Sequence, residues 1–246
     1  MNSLARGIAV LQAFSDTTTG VKMSNISIST GLSRAVVRRC LYTLEQLGYV
    51  RHGADGYYLE PKILSLSQTF FSSSSLTSQA QEFLDRVKES TGESCSLAVL
   101  DKDEVVYVAR SAAWKIMTVS LGIGSRLPAF YTSLGRVLLA TLPESQLDQY
   151  LKQLKLEPFT ESTLTSKSDL RTAIQKADQQ GYALVNEELE IGLRSLAVPV
   201  MNHDKQVVAA INVGVQATRM GSRKMIKEIL PILKNAAYDL GSQLIC

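Results

Sequence analysis

A chain of 246 residues is long enough for two domains of ordinary size, and 45% hydrophobic residues suffice to bury a core in each. No apolar run approaches the roughly 18–20 residues that cross a bilayer, and residues 1–6 lack the pattern of a secretion signal, so we expect a cytoplasmic protein. The net charge of +3 is small, but residues 1–52 contain six basic residues and only two acidic ones, which is typical of a nucleic-acid-binding segment.

Two helices are predicted first. The helix over residues 3–14 is indicated by apolar residues at helical spacing: Leu4, Ile8 and Leu11. A short second helix begins near Ser24, which can cap it, and ends at Gly31. Glycine readily adopts the left-handed conformation that a sharp turn requires, so a turn is expected there.

A third helix follows that turn and carries arginines. Ser33 can cap it, and it is expected to end near residue 47. We expect Val36, Cys40, Leu44 and Leu47 to face inward, whereas Arg34, Arg38 and Arg39 project outward. Because a planar guanidinium group can bind phosphates or guanine edges, this order of elements predicts a DNA-binding helix-turn-helix. A solvated basic helix surface is the alternative.

Two short β-prone runs, residues 49–52 and 57–59, flank a turn at residues 53–56 and predict a hairpin. A hairpin directly after a recognition helix is a wing that can touch phosphate or the minor groove. His52 lies at its base and is expected to be simply exposed. The residues expected to contact DNA are Arg6, Ser33, Arg34, Ala35, Arg38, Arg39, Arg51 and Tyr57.

A linker helix is predicted at residues 61–71, and four serines at residues 72–75 suit a hinge. The predicted organisation is therefore a DNA-binding domain over residues 1–60, a linker helix and hinge over 61–75, and a second domain over 76–246.

In the second domain, strands are predicted before and after a run of helices, and one further helix is predicted at each end. A helix at residues 76–90 is followed by strands at 95–100, 105–109 and 116–121, helices at 132–141, 144–151 and 168–179, strands at 196–201 and 207–215, and a final helix at 219–244 that contains Pro231. This order predicts an α+β domain around an antiparallel sheet.

No catalytic, metal or cofactor motif is visible in that domain. Three cysteines lie far apart without a C-x-x-C pair, and the histidines, His52 and His203, fall in predicted turns. Glycines at 122 and 124 are too weak a signal for a phosphate-binding loop. Glu187, Glu188 and Glu190 beside Arg194 could form an acid–base pair, but surface charge with one structural ion pair is favoured. We therefore expect a binding domain without a cofactor, and not an enzyme.

Several separated motifs together resemble the IclR family of bacterial transcription regulators. They are SLARG at residues 3–7, TGLS at 30–33, LGYV at 47–50, GSRLP at 124–128, TSLGR at 132–136, GYA at 181–183 and ELEIGLRSLAVPV at 188–200. The resemblance covers essentially the whole chain and implies a winged helix-turn-helix plus a GAF-like effector-binding domain. Residues 33–41, 106–111 and 188–200 are most similar to regulators of aromatic-acid degradation, which answer to protocatechuate, 4-hydroxybenzoate or β-ketoadipate.

The resemblance also implies an effector pocket. It would be lined by Val119, Ser133, Leu134, Val185, Leu193, Ser195, Asn212 and Gly214. Many members carry an acidic residue where this chain has Val185, so that polar contact is absent. Physical chemistry adds Thr132, near a helix start that favours an anion, and Arg110 or Arg126 as a charge-assisted partner. An arginine that braces a loop against Glu188 or Glu190 is the alternative.

The function expected is that of a regulator that binds a palindromic DNA operator as a homodimer or dimer of dimers and senses a small organic acid. If it activates, it also contacts RNA polymerase. No membrane is expected as a partner. Two alternatives remain open: an enzyme that processes small acids and dimerises through its N-terminal part, and a constitutive DNA binder without an effector.

Overall fold

Residues 2–14, 19–73, 75–113 and 121–244 are described by a computed structural model, in which the chain divides into two units, residues 1–73 and 74–246. The first unit contains α1 (Asn2–Gln12), α2 (Met23–Thr30), α3 (Arg34–Gln46), β1 (Val50–His52), β2 (Tyr57–Leu59), a 3-10 turn (Pro61–Ile63) and α4 (Leu64–Ser73). Within the described residues, no helix combines the length and apolarity that crossing a membrane requires.

The helix-turn-helix is formed by α2, α3 and the turn at Gly31, whose φ of +67° is left-handed as expected. The predicted caps are corrected. Lys22 occupies the N-cap position of α2, so Ser24 lies inside the helix, and Ser33 occupies that of α3 without a side-chain capping hydrogen bond.

The residues of α3 that face inward are shifted by one position from those predicted, since Val37 and Leu41 are buried in place of Val36 and Cys40. Val37, Leu41 and Leu44 are buried against Val10 and Ile26, because spacings of four and three residues place them on one side of the helix. The buried position of Leu44 agrees with expectation. Leu47 was expected inside but is 50% exposed, since it follows the last turn of the helix.

The wing is an antiparallel pair in which Val50 lies opposite Leu59 and His52 opposite Tyr57. His52 therefore lies in a strand, not in the predicted turn. The predicted hairpin itself is confirmed.

The second unit is an α+β fold around a six-stranded antiparallel sheet, as predicted. Its elements are α5 (Ser75–Thr91), β3 (Ser94–Asp101), β4 (Glu104–Ser111), β5 (Arg126–Pro128), α6 (Ser133–Leu139), α7 (Glu144–Gln153), α8 (Lys167–Gln180), β6 (Ala183–Asn186), β7 (Leu193–Met201), β8 (Val207–Gln216) and α9 (Ser222–Gln243). The strand order is β5-β4-β3-β8-β7-β6. The sequence did not predict β5 and β6. The strand predicted at 116–121 lies outside the described residues except for Leu121, which is not in a strand.

The two faces of this sheet differ because alternate strand residues point to opposite sides. Cys95 and Leu97 of β3 belong to the core formed with α5 and α9, as do Ile211 and Val213 of β8. The opposite face carries small or polar residues: Ser94, Ser96 and Ala98 of β3, and Ala210, Asn212 and Gly214 of β8. Part of this second face packs against α6 and α8, and the remainder forms the site.

Candidate functional site

The recognition helix α3 presents its basic side chains to solvent. Arg34, Arg38 and Arg39 are exposed, and so are Ser33 and Ala35 beside them. None of the three guanidinium groups forms an ion pair within the part of the chain that the structure describes. These arginines are therefore free to meet phosphates or base edges.

Arg51 and Tyr57, two wing residues expected to touch DNA, already have partners inside the protein. Arg51 forms an ion pair with Glu60 at 2.9 Å and lies 4.2 Å above the centre of the Tyr58 ring. Tyr57 is half-buried, and its backbone pairs with Val21.

Two further residues of the first unit are candidates for DNA contact, one predicted from the sequence and one not. Arg6 is half-buried on α1. Tyr42 was missed by the sequence analysis, although it lies one helical turn after Arg38 and its side chain is 64% exposed. That spacing is the signal that could have identified it.

A cavity of about 50 Å³ lies on the polar face of the six-stranded sheet. Its volume limits the occupant to a small molecule. The residues that line it are Ser94, Ser96, Tyr107, Arg110, Leu121, Leu127, Tyr131, Thr132, Val185, Glu188, Leu189, Leu193, Ser195, Asn212 and Gly214. Seven of these were expected: Arg110, Thr132, Val185, Leu193, Ser195, Asn212 and Gly214.

The strand register explains why these residues meet. Ser96 lies opposite Arg110 on one side and Asn212 on the other, which makes one row across β4, β3 and β8. The neighbouring row runs from Ser94 through Gly214 and Ser195 to Val185. Small side chains in both rows leave the space that larger ones would fill.

A bulge adds Tyr107 to the same cavity. In a regular strand, residues 107 and 110 would point to opposite faces. The register shift between Leu97 and Ala98 leaves Val108 as an extra residue on β4, so both Tyr107 and Arg110 reach the cavity. Burial raises the pKa of the Tyr107 hydroxyl to about 12, so it stays protonated near neutrality and can donate a hydrogen bond.

Arg110 is the one cationic side chain among the described residues that line the cavity. Its Nε is fully buried and has no hydrogen-bond partner, and its Nη1 reaches Ser96 Oγ only at 3.5 Å. A buried donor without a partner is costly, so it marks a position where a ligand acceptor would be stabilising.

Arg126, the other arginine proposed for the effector, lies elsewhere. It is 41% exposed and forms ion pairs at 2.6 Å with Asp101 and Glu104, outside the cavity lining. The expectation for Arg126 is thus wrong, because the β3–β4 turn brings two carboxylates next to it.

Ser133 and Leu134 are fully buried in α6 and do not line the cavity, which corrects two further expectations. Thr132 lines it, but its hydroxyl caps α6 by accepting from Gly135 N at 2.9 Å. Val119 lies outside the described residues.

Glu188 forms a buried ion pair at the cavity wall. Its two carboxylate oxygens accept from both terminal nitrogens of Arg136, with a distance of 2.8 Å between Arg136 Nη1 and Glu188 Oε1. Arg194, the partner that the sequence suggested, instead donates to Asn186 Oδ1 at 2.6 Å and to the carbonyl of Ala217. The Glu188–Arg136 pair spans 52 positions of the chain, so spacing alone gave no signal for it.

A larger and more open groove of about 1080 Å³ lies between the β3–β4 turn and α7. Charged residues of both signs line it, among them Lys102, Asp103, Lys155 and Glu157. Tyr131 lines this groove as well as the cavity. Among the described residues that line the groove, none is a buried charged group without a partner comparable to Arg110, so the cavity is the stronger candidate site.

A winged helix-turn-helix with an unpaired arginine surface, followed by a unit that encloses a small-molecule cavity, defines a DNA-binding transcription regulator. The family described as "Bacterial transcriptional regulator IclR C-terminal" matches residues 68–242, and "IclR helix-turn-helix domain" matches residues 3–53. The chain belongs to the IclR family of bacterial transcriptional regulators.

Comparison with individual proteins agrees. The chain is 42% identical to the Pca regulon regulatory protein of Pseudomonas putida over 99% of this chain and 84% of that protein. The solved structure of a transcriptional regulator from Rhodococcus sp. RHA1 is 40% identical, with a TM-score of 0.88, and the match covers 99% of this chain and 98% of that one. The predicted family, and the likeness to regulators of aromatic-acid degradation, are confirmed.

The inducer-binding domain of the Acinetobacter transcription factor PobR was solved as a double mutant in complex with 3-hydroxybenzoic acid. It is 34% identical, with a TM-score of 0.63, and the match covers 67% of this chain and 97% of that chain.

Proposed function

We propose that the cavity binds a small organic acid, either an aromatic acid or a β-ketoadipate-type catabolite, and that its occupancy changes operator binding. The single observation that carries this proposal is the buried Nε of Arg110, which has no hydrogen-bond partner. A ligand carboxylate would accept from that guanidinium group in a charge-assisted hydrogen bond. The complex of the PobR inducer-binding domain with 3-hydroxybenzoic acid supports the ligand class.

Three further groups of the cavity suit such a ligand. The protonated Tyr107 hydroxyl can donate to a carboxylate. The side chains of Asn212 and Ser195 have no hydrogen-bond partner among the described residues and supply further donors and acceptors. Leu121, Leu127 and Leu193 provide apolar walls for the remainder of the molecule.

The DNA contacts proposed are those of α3, from Arg34, Arg38 and Arg39 with Ser33 and Ala35 beside them. DNA contacts by Arg6, Arg51 and Tyr57 remain predictions. Arg51 already contacts Glu60 and the Tyr58 ring, so its first role is to stabilise the wing. The proposed boundaries remain residues 1–60, 61–75 and 76–246, and the proposed location is the cytoplasm, where the operator DNA is.

We propose a homodimer, or a dimer of dimers, that reads a palindromic site. Apolar side chains exposed on the first unit support it, since such surface is usually covered: Leu4, Ile8, Leu64 and Leu66. Contact with RNA polymerase remains a prediction for the case of an activator.

We also propose that the second domain does not catalyse a reaction. Ser133 and Glu190, the hydroxyl and the carboxylate on which catalysis by this domain would depend, do not line the cavity. A turnover assay over the same acids tests this proposal, and product formation that requires either residue would refute it.

The effector proposal is tested by comparing Arg110→Gln with Arg126→Gln in the full-length protein. Isothermal titration with 4-hydroxybenzoate, protocatechuate and β-ketoadipate measures affinity. We expect R110Q to lose about 10- to 150-fold, since a hydrogen bond to a charged group contributes about 1.5–3 kcal/mol. R126Q removes an arginine of the same domain from outside the cavity, so it should bind as the wild type does. Equal losses in both variants, or no binding of any acid by the wild type, would refute the proposal.

A further inference from the structure

The end of β4 lies between the cavity and α5. Arg110, the second-last residue of the strand, contributes its side chain to the cavity. Ser111, the last residue, points to the opposite side of the sheet, where its hydroxyl donates to Asp85 of α5. This follows from the alternation of side chains along a strand. Two neighbouring residues thus contact the cavity and α5 respectively.

Polar side chains one helical turn apart on α5 hold the end of β4. Gln81 Nε2 donates to Asp85 Oδ1 at 3.1 Å and to the carbonyl oxygen of Arg110 at 3.5 Å. Ser111 is only 3% exposed, so its hydroxyl has little access to water and depends on Asp85. Hydrogen bonds have a defined direction and partner, so α5 would respond at these contacts to a displacement of the strand end.

The end of β4 is less restrained than its beginning. β5 pairs with residues 104–106 only, so Arg110 and Ser111 pair with β3 alone in the described part of the sheet. Ser111 is also the last residue of that ladder. Since Arg110 Nε has no hydrogen-bond partner within the protein, a ligand acceptor would add a contact at this end of the strand. A contact made only with the ligand bound favours the strand position that suits it.

The position of α5 in the chain suits it to pass such a change on. It begins at Ser75, directly after the boundary between the two units, and the linker helix α4 ends at Ser73. Asp85 lies ten residues after the start of α5, about 15 Å at 1.5 Å per residue. Because a helix is stiff along its axis, a shift at Asp85 also displaces the end of α5 that continues from the first unit.

We propose that the hydrogen bond between Ser111 and Asp85 is the contact through which occupancy of the cavity changes operator binding. Asp85 is then a positioning residue for the response. Neither residue lines the cavity, and neither belongs to the first unit. Loss of the contact should therefore weaken the coupling between the two sites while each keeps its own affinity. This inference rests on the proposed function and names the contact that serves its regulation.

Operator binding by the full-length protein, measured with and without a saturating acid, tests this. The acid is the one that the wild type binds most tightly among 4-hydroxybenzoate, protocatechuate and β-ketoadipate. The operator is a duplex that the wild type selects from a random pool, and fluorescence anisotropy gives each Kd. The ratio of the two Kd values measures the coupling, which is typically about 5- to 150-fold.

Two variants break the contact in different ways. Ser111→Ala removes the hydroxyl, and Asp85→Asn removes the charge that it meets. We expect each variant to bring the Kd ratio closer to one by about twofold or more, as for other residues of a coupling network. Titration calorimetry should show the affinity for the acid unchanged, a result that a general loss of structure would not give.

Two matched variants of α5 serve as controls. Ser90→Ala removes a hydroxyl that donates to the carbonyl of Arg86 in the same helix. Glu82→Gln removes a carboxylate charge that is paired with Arg86. Both contacts lie within α5, so S90A and E82Q should keep the wild-type Kd ratio. Circular dichroism checks that all four variants are folded.

The outcomes separate this inference from the proposed function. A wild-type Kd ratio in both S111A and D85N, or an equal fall of the ratio in a control, overturns the inference and leaves acid sensing intact. A loss of affinity for the acid in S111A and D85N also overturns it, because the contact would then serve the cavity itself. A wild-type Kd ratio of one, or failure of every acid to bind, overturns the proposed function and this inference with it.

Discussion

Gly135→Ala is expected to destabilise the second unit and to weaken effector binding. A Cβ atom at Gly135 would lie 1.9 Å from the carbonyl oxygen of Ala129 and 2.4 Å from its carbonyl carbon. Ala129 begins the 3-10 turn Ala129–Tyr131, which carries Tyr131 to the cavity. Glycine thus lets α6 and the backbone of that turn touch directly.

The magnitude follows from the overlap. Ordinary van der Waals contact begins at 3.4 Å. The turn or the helix would therefore have to move by about 1.5 Å in a fully buried place, where overpacking typically costs about 1–3 kcal/mol. The gain in helix propensity, about 1 kcal/mol, offsets only part of a cost at or above that range. We expect a net loss of at least about 2 kcal/mol, which lowers the Tm of a unit of this size by roughly 4–8 °C.

Differential scanning calorimetry of the full-length protein measures the change in Tm. Titration with 4-hydroxybenzoate measures the loss of affinity expected if Tyr131 is displaced. Gly7→Ala is the matched control, because Gly7 also lies in a helix but has no neighbour within 4 Å of its added Cβ. G7A should raise the stability of the first unit by about 0.5–1 kcal/mol. A G135A protein as stable as the wild type, with unchanged ligand affinity, would refute the packing argument.

Two further outcomes are expected. The double variant R34A/R38A should lose affinity for a DNA duplex that the wild type selects from a random pool, and the slope of log K against log salt should fall by about one for each phosphate contact removed. The control variant R223A replaces an exposed arginine of α9 and should leave both the affinity and the slope unchanged. Equal losses in the two variants would contradict the placement of the DNA interface on α3. Burial raises the pKa of the Cys95 thiol, so at pH 8 iodoacetamide should modify half-buried Cys40 well before Cys95, and mass spectrometry showing equal rates in the folded protein would be inconsistent with the buried site.

The helix-turn-helix could be predicted because its signals are local. Gly31, the apolar spacing of α3 and the turn of the wing each lie within a few residues of what they determine. The phase of α3 was wrong by one residue because Val36 and Val37 are equally apolar. Only the packing against α1 and α2 decides between them.

The cavity was harder to predict because its parts are brought together by pairing over long distances. The strands β5 and β6 contain three and four residues, too few to show alternation. Arg110 and Arg126 look equivalent in the sequence, and only the bulge on β4 and the carboxylates of the β3–β4 turn assign them different roles. The pairing of Glu188 with Arg136, and not with the nearby Arg194, could not be predicted either, because the fold brings together residues 52 positions apart.

The alternation of residues along β3 and β8 has a consequence for how such a regulator can change its ligand in evolution. Substitutions at Ser94, Ser96, Asn212 or Gly214 alter the cavity, while Cys95, Leu97, Ile211 and Val213 hold the opposite core. Neighbouring codons are thus under different selection, so the residues that face the cavity can vary while those that face the core are conserved. A duplicated gene could acquire a new inducer through a few such changes without first losing its fold.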